Sequence, residues 1–269
     1  MPENESHDVL VRFERGTFQT LGSTRTVYRQ GHGPAVLVLS EMPGITPTVA
    51  AFAQRVVDRG FRVVVPHLFG TDGAPPSNKA YRKTGLEVCI SREFTLFATG
   101  KHSKITEWLT NLARHEHEQN GGHGVGVIGM CFTGGFALAM MVDPVVVAPV
   151  LSQPSLPVGL RASSPAKRDL GISPAERAAV QARAAAGQCV LGLRFSEDPL
   201  VPAQRFQALR DLLGENFIGV EIDSSEKNTW GYGPKAHSVL TEDLGTNEAS
   251  PTHRALEQVL AFCEDRLRN

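Results

Sequence analysis

From residue 35 onward the chain alternates short apolar runs with longer amphipathic ones, and this rhythm constrains the fold more than any other feature. The apolar runs are AVLVLS (35–40), RVVVP (62–66), GVGVIG (124–129), VVVAPVL (145–151), CVLGLRF (189–195) and FIGVEI (217–222). Most lack polar alternation, as parallel strands covered on both faces do. Helical patterning fills the spaces at Thr48–Arg59, Ile105–Glu118, Gly134–Met141, Pro174–Ala186, Pro202–Leu213 and Thr252–Arg268. Together they predict an α/β fold with a mostly parallel, twisted central sheet and helices on both faces. Ahead of this, Val9–Phe13, Thr17–Thr20 and Thr26–Tyr28 are β-like, with Gly16 and Gly22 as turn signals, which predicts an antiparallel N-terminal edge. Segments 66–100 and 152–173 interrupt the alternation, and long loops in such domains usually serve function. With no repeat or linker, residues 1–269 read as one domain carrying two inserted loop segments.

Charge and hydropathy narrow the function classes. The formal net charge is −1, with 41% hydrophobic and 20% charged residues, so no overall field draws the chain to nucleic acid or an anionic membrane. No apolar stretch reaches the ~18 residues of a membrane span, and MPENESHDVL lacks the basic and apolar regions of a signal peptide. The four cysteines, Cys89, Cys131, Cys189 and Cys263, include no CxxC and no close pair, a pattern of reduced thiols rather than a disulfide or zinc framework. The expectation is a cytoplasmic protein, monomer or homodimer, whose partner is a small molecule rather than nucleic acid or a membrane.

One of the cysteines occupies a distinctive place. In GVGVIGMCFTGGFALAM (124–140) an apolar strand runs into Cys131 and then into an apolar helix, with Gly129 before the cysteine and Gly134 and Gly135 after it. Small residues around a strand-to-helix turn let a nucleophile take a strained backbone position above the sheet, and the following helix favours a thiolate. A buried structural cysteine is the ordinary alternative. Gly124, Gly126 and Gly129 also match G-x-G-x-x-G, but in a dinucleotide site these glycines follow a strand, and RHEHEQNGGH is too polar to be one. A nucleophile needs a base and a group that orients the base. Asp198 follows the strand CVLGLRF, and His237 lies in the loop before the last helix, so nucleophile, acid and histidine come in the chain order of the α/β hydrolases. His115 and His117, in HEHE, read as a solvated helix end and not as metal ligands, because i and i+2 do not share a face. Three functions stay open here: a cysteine hydrolase, a nucleotide-dependent oxidoreductase, and a redox-sensing or ligand-binding homologue without turnover.

The motifs LSEMPGI (39–45), GVIGMCFTGGFAL (126–138), SEDPLVP (196–202) and AHSVL (236–240) resemble those of the dienelactone hydrolase family. The resemblance implies an α/β-hydrolase fold with a Cys131–His237–Asp198 triad, no metal or organic cofactor, and cleavage of a small carboxylated ester or lactone, as carboxymethylenebutenolidases do. It implies that Glu41 helps manage the thiol proton. The oxyanion hole would be the backbone N–H groups of Phe132 and Met42, and Arg92 and Arg82 would be candidates to hold a substrate carboxylate. The chain departs from the family at Thr133, where the usual elbow has glycine, which marks a divergent GMCFTGG subgroup.

Overall fold

Runs such as Ala-Val-Leu-Val-Leu can sit only where both faces are covered, and every residue of β3 (Ala35–Leu39), β5 (Val125–Met130) and β7 (Val190–Phe195) is buried. A computed structural model describes residues 8–90, 103–156 and 167–268. The remaining strands are β1 (Glu14–Thr20), β2 (Ser23–Gln30), β4 (Arg62–Pro66), β6 (Val146–Ser152) and β8 (Phe217–Ile222). All eight form one sheet in the order β1-β2-β4-β3-β5-β6-β7-β8. The pairs β1–β2 and β2–β4 are antiparallel and the other pairs are parallel, which is the predicted α/β architecture with its antiparallel edge.

Helices α1 (Asp8–Val11), α2 (Pro47–Asp58), α3 (Asn78–Ile90), α4 (Lys104–Asn120), α5 (Gly134–Met140), α6 (Pro174–Ala185), α7 (Ala203–Leu213) and α8 (Pro251–Leu267) surround the sheet. Two apolar clusters, one per face, hold the layers together. Phe52, Phe61, Leu256 and Phe262 join α2 and α8 to one face, while Trp108, Leu109, Phe136 and Phe206 join α4, α5 and α7 to the other. Helix starts follow their sequence signals. The Thr46 hydroxyl accepts from Val49 N–H ahead of Pro47, and Ser173 and Glu176 form a capping box at α6. Among the described residues no helix is long and apolar enough to cross a membrane.

Two local expectations are corrected. Val9–Phe13 is not a strand: Asp8–Val11 forms a helical turn, closed by a Phe13 N–H to Leu10 carbonyl bond, that packs on α2. Gly16 is not a turn but lies inside β1, paired with Val27, and the reversal falls at Leu21 and Gly22, both with positive φ. Segment 66–100, read as a loop, contains α3. In 152–173 the described parts are 152–156, which is buried, and 167–173, which begins exposed at 167–169 and turns inward at 170–172.

Candidate active site

The strand-to-helix turn after β5 has the geometry of a nucleophile elbow. Cys131 sits at φ 56°, a region that strains residues with a Cβ and that clusters at functional sites. Gly129 makes the turn possible: a Cβ there would lie 2.3 Å from the Thr133 carbonyl oxygen and 2.8 Å from Gly134 Cα. Thr133, the departure from the family pattern, is fully buried and acts as a tie. Its hydroxyl accepts from Met130 N–H at 2.8 Å and lies within donating distance of the carbonyls of Leu39 (2.9 Å) and Met130 (2.7 Å), linking the end of β3 to the elbow.

Asp198 and His237 come to this turn from the loops after β7 and β8. Asp198 Oδ2 faces His237 Nδ1 at 2.7 Å, its Oδ1 accepts from Leu200 N–H at 2.8 Å, and the carboxylate side chain is fully buried. His237 Nε2 is buried without a formed hydrogen bond, and the group that acts on the ring most strongly in favour of a proton is the Cys131 sulfur. Burial works against the charged forms of both groups. Even so, the His237 charge and hydrogen-bonding capacity carry the Cys131 thiol below its ordinary value, and Cys131 together with Asp198 holds the imidazole well above its own. Each of the two groups thus favours the charged form of the other. Asp243, which the sequence gave no reason to single out, accepts from the N–H groups of His237 (2.8 Å) and Ser238 (2.9 Å) and so fixes the histidine loop.

Glu41 is held against the loop of His237, and its charge raises the pKa of the Cys131 thiol. It is 4% exposed at the end of β3, accepts from Gln153 Nε2 at 3.0 Å and Ser238 Oγ at 2.7 Å, and contacts Thr241 Oγ1. Burial raises its pKa against the opposing pull of His237 and these three hydrogen bonds. The atom bonded to the Cys131 sulfur is Ser155 Oγ, at 3.0 Å, another residue not foreseen. Met42 follows Glu41 beyond β3, and Phe132 follows Cys131 within the short helical turn Cys131–Thr133, the two positions expected of oxyanion donors. Tyr81 on α3 was also missed. Although the residue is 43% exposed, its hydroxyl is pushed up to about 12 by partial burial and then by the charges of Glu41, Glu242 and Cys131. Arg82, next to it, is exposed, and Arg92 lies outside the described residues.

Outside this cluster the other chemical motifs resolve differently. Gly126 and Gly129 lie inside β5 and Gly124 just before it, so they are packing positions in a strand, not a phosphate loop opening a helix. HEHE is not wholly solvated: Glu116 is 2% exposed and pairs with Arg29 of β2 at 2.7 Å. Among the described residues no group of three or more His, Cys, Asp or Glu side chains could hold a metal ion. Cys131, Cys189 and Cys263 are free thiols. Cys263 is buried and shifted up to about 12, and Cys189 Sγ accepts from Arg266 at 3.0 Å.

Comparison with known proteins bears on the family and the fold. The dienelactone hydrolase family matches residues 23–265. Three solved structures share the fold over almost all of this chain. A dienelactone hydrolase-like promiscuous phosphotriesterase from metagenomic libraries is 16% identical, with 95% of this chain and 98% of that one covered and a TM-score of 0.62. A cold-adapted esterase from an Arctic intertidal metagenomic library is 13% identical, with all of both chains covered and a TM-score of 0.56. The 2,6-dihydroxy-pseudo-oxynicotine hydrolase is 16% identical, with 94% of this chain and 68% of that one covered and a TM-score of 0.56. No curated protein matches at the sequence level. The family match over 23–265, on an eight-stranded sheet of this order, makes the chain a hydrolase of the dienelactone hydrolase family, built on the α/β-hydrolase fold.

Proposed function

We propose that the chain cleaves an ester or lactone of a small carboxylated molecule through an acyl-enzyme on Cys131. The observation that carries this reading is His237, partly buried, with Asp198 at Nδ1 and the charge of the Cys131 sulfur acting on its ring. His237 takes the thiol proton and the thiolate attacks the substrate carbonyl carbon. Charge develops on the carbonyl oxygen, where the N–H groups of Phe132 and Met42 are the donors; one such donor is typically worth about 2.7–4 kcal/mol. The C–O bond breaks, and the leaving alkoxide receives the proton from His237. In a lactone that alcohol stays attached to the acyl group. His237 then deprotonates water, which attacks the thioester, and the thiolate departs from the carboxylic acid product. Asp198 holds the His237 tautomer and stabilises its charged form throughout. No cofactor enters these steps. The carboxylate on the substrate rests on the family resemblance, with Arg82 and Arg92 as its candidate partners.

The test compares wild type with Cys131→Ala and His237→Ala on small lactones and activated aryl esters, with mass spectrometry of the trapped acyl-enzyme. Both variants should lose turnover, and a mass adduct should map to Cys131 in wild type. Undiminished hydrolysis by Cys131→Ala refutes the mechanism.

A further inference from the structure

The triad needs a nucleophile, a base and an acid, and the Cys131 sulfur has a further hydrogen-bond partner that is none of these. Strand β6 pairs with β5 in a register that sets Ser152 beside Met130, and the chain then continues as Gln153-Pro154-Ser155 over the elbow. Ser155 grips Cys131 twice. Its N–H donates to the Cys131 carbonyl at 3.1 Å, and its Oγ lies 3.0 Å from Sγ. Ser155 is 5% exposed, so water offers the sulfur little competition from that side.

The segment that carries Ser155 is fixed at every residue. Gln153 holds φ 39°, donates its N–H to Leu193 of β7 at 2.7 Å, and gives its side-chain amide to Glu41 at 3.0 Å. Pro154 packs so closely on Gly134 that a Cβ there would approach it to 3.0 Å, and the Pro154 carbonyl accepts from the buried Arg205. Glu41, by contrast, is held by Gln153, Ser238 and Thr241, and two of these belong to the loop of His237.

We propose that Ser155 is the positioning residue of the nucleophile, holding Cys131 Sγ through its hydroxyl, and that Glu41 acts on the other partner by clasping the His237 loop. Ser155 donates its hydroxyl hydrogen to the thiolate, which steadies one rotamer of the sulfur and favours its charged form. The proposal rests on Cys131 being the nucleophile. Its test reads the thiol without turnover, so its failure is distinct from failure of the hydrolysis test.

The experiment follows the pH dependence of Cys131 alkylation by iodoacetamide, and thiolate absorbance near 240 nm, in wild type, Ser155→Ala, Ser155→Thr and Glu41→Gln. Thermal unfolding first establishes that each variant is folded. Loss of a hydrogen bond to a charged sulfur should move the Ser155→Ala titration upward by about one to two pH units, and Ser155→Thr, which keeps the hydroxyl, should lie nearer wild type. Glu41→Gln should not raise the thiol titration, and should instead lower kcat on an aryl ester. A Ser155→Ala curve that coincides with wild type, or a Glu41→Gln curve that moves upward, overturns the assignment.

Discussion

Replacing Asp198 by asparagine tests the pairing with least disturbance to the fold. Asp198 is 2% exposed; one oxygen accepts from Leu200 N–H at 2.8 Å, and the other faces His237 Nδ1 at 2.7 Å. Asparagine has the same shape but only one acceptor atom. The Leu200 N–H claims that oxygen, so the amide NH2 turns toward His237 and Nδ1 must accept from it. The ring proton then moves to Nε2, the nitrogen required to receive the Cys131 proton. Losing a hydrogen bond to the charged imidazolium costs about 1.5–3 kcal/mol, or about 10–150-fold in rate. Inverting the tautomer also removes general-base help worth about 10²–10⁴-fold. These are not additive, and kcat/KM for an activated aryl ester should fall by about 10²–10⁴-fold. Asp198 is also one of the groups that raise the His237 pKa, so its loss lowers that pKa, weakens the imidazolium that holds the thiolate, and moves Cys131 alkylation to higher pH. Thermal unfolding should change little, because the Leu200 bond survives. A folded Asp198→Asn enzyme within about threefold of wild type in kcat/KM refutes the reasoning.

Three further outcomes follow from the same geometry. The Cys131 pKa is lowered by His237, so alkylation of Cys131 should be half-maximal below the ~8.5 of a free thiol, and His237→Ala should move that midpoint upward; identical midpoints contradict the ion pair. Thr133→Val leaves the buried Met130 N–H without its acceptor, at about 1–3 kcal/mol and about 2–4 °C in Tm per kcal/mol for a chain of this size; an unchanged melting curve by circular dichroism argues against the tie. Gly129→Ala forces a Cβ to 2.3 Å from the Thr133 carbonyl and should cost at least about 1–3 kcal/mol together with esterase activity. Gly85→Ala in α3, where a new Cβ meets nothing within 4 Å, is the control and should be neutral or stabilising; equal effects in the two remove the steric argument.

The parallel strands and the elbow are legible in the sequence because they depend on local pattern: unbroken apolar runs, small residues at a turn, and the order in which Cys131, Asp198 and His237 follow. What stays hidden depends on tertiary approach. Ser155 and Gln153 look like residues of a proline-containing loop until β6 is laid beside β5. Asp243 reads as a surface acid until the loop folds back on His237. Glu116 sits in a charged run, and only its meeting with Arg29, 87 residues away, makes it buried. Thr133 breaks a glycine pattern on paper, yet its hydroxyl occupies a place between two strand ends that no linear motif describes. At the N-terminus, Val9–Phe13 has strand composition, but contact of that turn with α2 outweighs so weak a local preference.

Strand β6 contributes no member of the triad, and that is itself informative. It lies between β5, which ends just before Cys131, and β7, which ends near Asp198. Neighbouring strands lie about 4.7–4.9 Å apart, so nucleophile and acid are held two strand widths apart, a gap of about 9–10 Å. The His237 imidazole, whose Nδ1 faces Asp198, lies across part of that gap. For the proposed triad the sheet thus works as a ruler, and β6 is the spacer that makes room for His237.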